Sequence, residues 1–127
     1  MSQSDPKSHL VYVVDDNALL GQITAQIIAT GGYETRFFND PIEAREALHQ
    51  ANPMPDVLVT DFDLGPLHGI DLVQVAQERS AAVKSMIVSG TVQAGILDRY
   101  STKADRFLSK PFRADDLLAC LEELTRA

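Results

Sequence analysis

Three short runs in the chain are apolar almost without a break: Leu10-Val11-Tyr12-Val13-Val14, Val57-Leu58-Val59-Thr60 and Met86-Ile87-Val88. Rich in β-branched residues and lacking polar alternation, they predict strands covered on both faces. Two further segments differ. Tyr33-Glu34-Thr35-Arg36-Phe37 alternates apolar or Thr positions with charge, and Ala104-Asp105-Arg106-Phe107-Leu108 is mixed, so both read as edge strands.

Between the strands lie stretches of helical period with recognisable ends. Asn17 caps a first helix whose Leu20, Ile23, Ile27 stripe stops at Gly31-Gly32. Asp40-Pro41-Ile42-Glu43 combines an Asp cap, Pro at the first helical position and an acid at the third, and that helix ends before Asn52-Pro53. A third helix is predicted from about Gly69 to Arg79. A fourth, near Val92 to Tyr100, keeps Val92, Ile96 and Tyr100 on one side. A fifth runs from Arg113 to Thr125 with Leu117, Leu118, Leu121 and Leu124.

Five strands alternating with five helices specify right-handed crossovers and a parallel sheet. Two edge-like and three interior strands suit a doubly wound, flavodoxin-like α/β fold of strand order 2-1-3-4-5. No linker or repeat interrupts it, so residues 1–127 are expected to form one domain, with a core from about 9 to 125.

Composition narrows the function. With 18 acids against 11 bases the net charge is −7, which argues against direct nucleic-acid binding by this chain. One cysteine, Cys120, excludes a disulfide framework and a cysteine-pair zinc site, and among Leu118 and Leu121 it reads as core packing. Met1 to His9 lacks a signal core and no run approaches the roughly 18 apolar residues of a membrane span, so a cytoplasmic location without membrane insertion is expected. Twelve of the 18 acids are Asp, a residue favoured at caps, turns and reactive sites.

Several of those Asp residues follow strands. Ligands of open α/β sheets bind at the carboxyl ends of the strands, and Asp15 and Asp16 follow the first, Asp61 the third, Ser89 the fourth and Lys110 the fifth. Three carboxylates brought together repel one another unless protons or a cation intervene. An all-oxygen donor set suits a hard divalent ion, Mg²⁺ above all and Mn²⁺ as a possible substitute. A carboxylate beside such an ion can attack phosphorus and become an aspartyl phosphate, with Lys110 and the Ser89 hydroxyl placed to meet the phosphoryl oxygens.

Val13-Val14-Asp15-Asp16-Asn17, Thr60-Asp61, Ser89-Gly90 and Lys110-Pro111-Phe112 together resemble the receiver domain of two-component response regulators, over about His9 to Leu124. The resemblance implies that Asp61 is the phosphoacceptor, served by a sensor histidine kinase or a histidine phosphotransfer protein. It implies that Asp16 and Asp61 bind Mg²⁺ directly, Asp15 through water, and Asp63 by its backbone carbonyl. Lys110 would pair with the phosphoryl group, and Lys110-Pro111 would be a cis peptide. Ser89 and Phe107 would shift together on phosphorylation, remodelling the face of the fourth helix, fifth strand and fifth helix that meets a downstream protein. Asp63 and Thr91 would tune phosphate lifetime.

Departures from the family pattern are Ser89 where Thr is equally common, Phe107 for the frequent Tyr, Leu67-His68-Gly69 for the usual apolar-Pro-Gly loop, which leaves Gly69 for the tight turn, and Lys103 where a Gly commonly ends the fourth helix. His68 is expected in a solvent-exposed loop. A stand-alone domain, monomeric or a weak dimer, that catalyses its own phosphorylation without being a turnover enzyme is the expectation. With no residues left for an output domain, its output would be a protein contact or onward relay. Two alternatives belong to other classes. Thr60-Asp61-Phe62-Asp63-Leu64 also resembles the Asp-x-Asp motif of haloacid-dehalogenase-type phosphatases, but position 65 is Gly and the acidic pair precedes the motif. A pseudo-receiver that only binds partners is disfavoured by the intact Asp15, Asp16, Asp61, Lys110 set.

Overall fold

The computed structural model describes residues 9–90 and 104–126. Five strands, β1 (Leu10–Val14), β2 (Glu34–Phe38), β3 (Val57–Asp61), β4 (Lys84–Ser89) and β5 (Arg106–Ser109), form one sheet in the order β2-β1-β3-β4-β5. Every neighbouring pair is parallel. The described helices are α1 (Ala18–Thr30), α2 (Pro41–Gln50), α3 (Gly69–Arg79) and the C-terminal α4 (Ala114–Thr125). The predicted helix near Val92–Tyr100, with Thr91 and Lys103, lies outside the described residues.

The doubly wound topology follows from strands that are apolar on both faces. Val11 and Val13 of β1 join Val57, Val59, Met86 and Val88 against Ile28 of α1 and Leu117, Leu121 and Leu124 of α4. The intervening Tyr12 and Val14 face Ala44 and Leu48 of α2 and Leu72, Val73 and Ala76 of α3. Burying such side chains on both sides of a sheet contributes about 1.5–3 kcal/mol each before chain entropy is counted.

Helix ends follow local chemistry. Asn17 caps α1 by accepting the Leu20 N–H at 3.0 Å, and Asp40 caps α2 through the Ile42 N–H at 2.9 Å, with Pro41 at the first helical position. The chain leaves α1 through Gly32, whose φ of +92° favours glycine. Arg79, near the end of α3, donates to the carbonyls of Leu48, His49 and Ala51 at 2.6–2.9 Å and so satisfies the C-terminus of α2.

The α1 stripe turns out the opposite way from a core face. Gly21, Thr24, Ala25 and Ile28 are buried, while Leu20 and Ile23 are each 44% exposed and Leu19 67%. The reason is a close approach. The Phe37 ring occupies the space where a side chain at Gly21 would stand, so the helix rests on Gly21, Thr24, Ala25 and Ile28 while Leu19, Leu20 and Ile23 point outward. Strand β4 also starts earlier than its apolar run, because Ser85 is buried and its N–H donates to the Asp105 carboxylate at 2.8 Å.

Candidate functional site

Register brings the carboxyl ends of the strands together. Val14 lies beside Phe38 and Thr60, Asp61 beside Val88, and Ser89 beside Ser109. The residues that follow these positions share one edge of the sheet. Asp15, Asp16 and Asp61 accordingly converge, each offering a carboxylate oxygen within 4.8 Å of the others. Lys110 enters from the end of β5, its Nζ 3.3 Å from Asp15 Oδ2 and 3.6 Å from Asp61 Oδ2.

Each side chain is held by its local backbone. Asp15 is buried, and its Oδ1 accepts the Asn17 N–H at 2.9 Å, so the residue that caps α1 also fixes this carboxylate. Asp61 Oδ1 accepts the Phe62 N–H at 2.9 Å. The Lys110 N–H donates to the Ser89 carbonyl at 2.8 Å, tying the end of β5 to the end of β4, and Lys110–Pro111 is a cis peptide bond. Asn52–Pro53 is a second cis peptide, far from this edge.

Electrostatically the site is loaded first by burial and then by its neighbouring carboxylates. Burial holds the Asp61 carboxyl above its ordinary value of 3.8; Lys110 pulls it down, Asp15 pushes it up, the Phe62 N–H lowers it and Asp16 raises it. Three acids share a single ammonium among the described residues, a deficit of positive charge that favours a hard cation. The all-carboxylate donors, with no imidazole or thiolate among them, fit Mg²⁺ or Mn²⁺.

The other expected residues lie around this centre. Ser89 is buried at the end of β4. Phe107 is half-buried and packs against the cluster under α2 and α3. Asp63 is exposed in the loop after β3, where its Oδ1 accepts the Gly65 N–H at 3.2 Å. His68 is exposed, as expected, but it also occupies the N-cap of α3: its N–H donates to Asp71 Oδ2 at 2.9 Å and its ring lies 5.4 Å from that of Phe62. Cys120 is half-buried against the α1–α4 cluster, and burial pushes its thiol up.

Two supporting contacts were not legible as such. Gly69, the first residue of α3, packs on the Asp61 carbonyl so closely that a β-carbon there would collide with it. Thr60 is buried and its hydroxyl donates to the same Asp61 carbonyl at 3.0 Å. A glycine at the start of a helix following the loop from Asp61 was the available signal for the first. The second had no signal, because a Thr in an apolar strand reads as packing.

The family model for the response regulator receiver domain matches residues 11–122. The chain belongs to that family. Among curated relatives of this receiver, the DNA-binding response regulator MtrA of Mycobacterium tuberculosis is 26% identical over 115 residues, covering 91% of this chain and 50% of its own length. The response regulator MprA of Mycobacterium leprae is 29% identical over 119 residues, with the same coverages. The receiver thus spans about half the length of the curated relatives it matches. A CheY-like receiver domain protein from Methanospirillum hungatei superposes with a TM-score of 0.82 at 23% identity, covering 91% of each chain, which shows the shared fold. The receiver is therefore a signalling domain of a two-component system, and its acidic cluster accords with a phosphoacceptor and metal site. Among the described residues no helix is long and apolar enough to cross a membrane.

Proposed function

We propose that this receiver takes a phosphoryl group onto Asp61 from the phosphohistidine of a sensor histidine kinase or phosphotransfer protein. The observation that carries this reading is the convergence of Asp15, Asp16 and Asp61 within 4.8 Å, with Lys110 Nζ 3.6 Å from Asp61. An Asp61 carboxylate oxygen bonds to phosphorus as the phosphorus–nitrogen bond to the donor imidazole breaks, leaving an acyl phosphate and a neutral histidine. Asp15, Asp16, Asp61 and the Asp63 main-chain carbonyl would hold Mg²⁺, or Mn²⁺ in its place. Bound there, the ion would supply positive charge for the phosphoryl oxygens.

The chain's own groups do the rest. Lys110 already bridges Asp15 and Asp61 and lies within reach of a phosphoryl oxygen built on Asp61. Ser89, at the end of the adjacent strand, offers its hydroxyl to a second. Its movement, followed by Phe107 on β5, would carry the change to the face of the predicted fourth helix, β5 and α4, where a downstream protein binds. Asp63 and Thr91 would set how fast water removes the phosphate. The domain performs this chemistry on itself and is not a turnover enzyme in this reading.

The outward stripe of α1 supports docking of a protein donor. Leu20, Ile23, Thr24 and Ile27 line a groove of about 290 Å³ with Pro111 and Phe112, and Lys110 closes its end beside the acceptor. An apolar groove touching the reactive edge would hold a helical donor with its phosphohistidine over Asp61.

Phosphotransfer from a panel of autophosphorylated histidine kinases tests the reading. Label should pass to the wild-type chain in the presence of Mg²⁺ and not to Asp61→Asn, whose circular dichroism spectrum stays native. Undiminished labelling of Asp61→Asn overturns it. So does a wild-type chain that no kinase and no small acyl phosphate labels, which is the behaviour of a pseudo-receiver.

A further inference from the structure

Strand β2 forms one edge of the sheet. The Glu34 N–H donates to the His9 carbonyl, and the Phe38 carbonyl accepts the Asp15 N–H, so Glu34, Arg36 and Phe38 turn their main-chain groups toward β1. Successive residues of a strand alternate. The N–H and C=O groups of Thr35 and Phe37 therefore point out of the sheet edge, and no described residue bonds to them.

Glu34 and Arg36 are exposed on the face toward α2, and neither has an ion-pair partner among the described residues. The Arg36 guanidinium rests on the Phe38 and Tyr12 rings at 4.9 and 5.8 Å. Cavities of about 500 and 330 Å³ run along this side between β2 and α2, sharing Arg36, Ala47 and Gln50 as walls. The helix thus leaves room for side chains that the chain itself does not supply.

We propose that the β2 edge binds a second copy of this chain, strand to strand and antiparallel, about a two-fold axis at Thr35. Hydrogen-bond parity requires outward-pointing residues to face one another across the axis. Charge then selects the register. An axis at Glu34 or Arg36 would place like charges opposite, and one at Phe37 would set Arg36 against Phe38. The axis at Thr35 sets Glu34 against Arg36 of the other copy twice over and Thr35 against Thr35. It also sets Tyr33 against Phe37 on the opposite face. Glu34 and Arg36 would meet as a non-hydrogen-bonded pair, the closer kind, with α-carbons about 4.5 Å apart. The guanidinium is already held over the Phe38 ring, 4.9 Å from its centroid, so less side-chain freedom remains to be lost on pairing. Isologous contact of this kind closes on itself and makes one sheet continuous through two copies.

The test is sedimentation velocity of the whole chain over rising concentration, without phosphodonor, so its outcome is independent of the chemistry at Asp61. Wild type should shift reversibly from monomer toward dimer. Glu34→Arg and Arg36→Glu each place like charges opposite, and each should weaken self-association by at least about tenfold. An equimolar mixture of the two variants should associate again, and so should the double variant carrying both changes, because each restores opposite charges at every crossing. Native circular dichroism of the single variants is checked alongside, and recovery in the mixture itself requires folded chains. A wild type that stays monomeric at every concentration, single variants that dimerise like wild type, or a mixture that fails to associate overturns the proposal. Occupation of this edge by a different protein while the chain remains monomeric does so too.

Discussion

The β-carbon that Gly69 lacks would collide with the main-chain carbonyl oxygen of Asp61. The first turn of α3 is thereby pressed against the residue that ends β3, and the Gly69 N–H donates to the Phe62 carbonyl at 2.6 Å in the same contact. The position of Asp61 depends on the absence of a side chain eight residues later.

Gly69→Ala should therefore act on both stability and chemistry. Forcing a methyl group against backbone costs about 1–3 kcal/mol, to be read from urea unfolding. Because relief requires Asp61 or α3 to move, labelling by a small acyl phosphate should also slow. A variant as stable and as readily labelled as wild type would remove Gly69 from the site.

Legibility in the sequence divided along a physical line. Asp15, Asp16, Asp61, Ser89 and Lys110 were readable because each ends or follows a strand, and parallel strands deliver their ends to one edge whatever the details of packing. The capping chemistry of Asn17 and Asp40 was readable because it is local. The facing of α1 was not. Leu20, Ile23 and Ile27 make an apolar stripe, but apolarity alone does not say which stripe is buried, and the choice fell to Gly21, where Phe37 allows a closer approach. Ser85 escaped for a related reason: its partner, Asp105, is distant in sequence.

Asp61 costs the apo fold stability at neutral pH. Its carboxyl is raised above 3.8 in the folded chain, so the native state holds the proton more tightly than the unfolded state does. Stability contributed by that proton is present at low pH and is lost as pH rises through the folded value. Asp61→Asn carries no charge to bury, so without divalent ions it should melt higher than wild type at neutral pH. That advantage should shrink as the pH is lowered toward 3.8. An advantage that grows on acidification would contradict the assignment of strain to this carboxylate.

Mg²⁺ should relieve the same repulsion. A ligand that binds only the native state at a hundred times its dissociation constant adds about 2.7 kcal/mol, visible as a rise in melting temperature that a chelator reverses. Asp16→Asn, which leaves Lys110 between Asp15 and Asp61, should lose most of that rise. Equal stabilisation of wild type and Asp16→Asn would place the ion elsewhere.

The central claim is that the phosphoryl group forms a bond to Asp61 itself. An acyl phosphate is reduced by borohydride to the corresponding alcohol, which marks the modified aspartate as homoserine in a peptide map. After incubation with a small acyl phosphate and Mg²⁺, the account predicts homoserine at position 61 and at no other aspartate. A mark at Asp15, Asp16 or Asp63, or phosphate incorporated with no mark at Asp61, would contradict it.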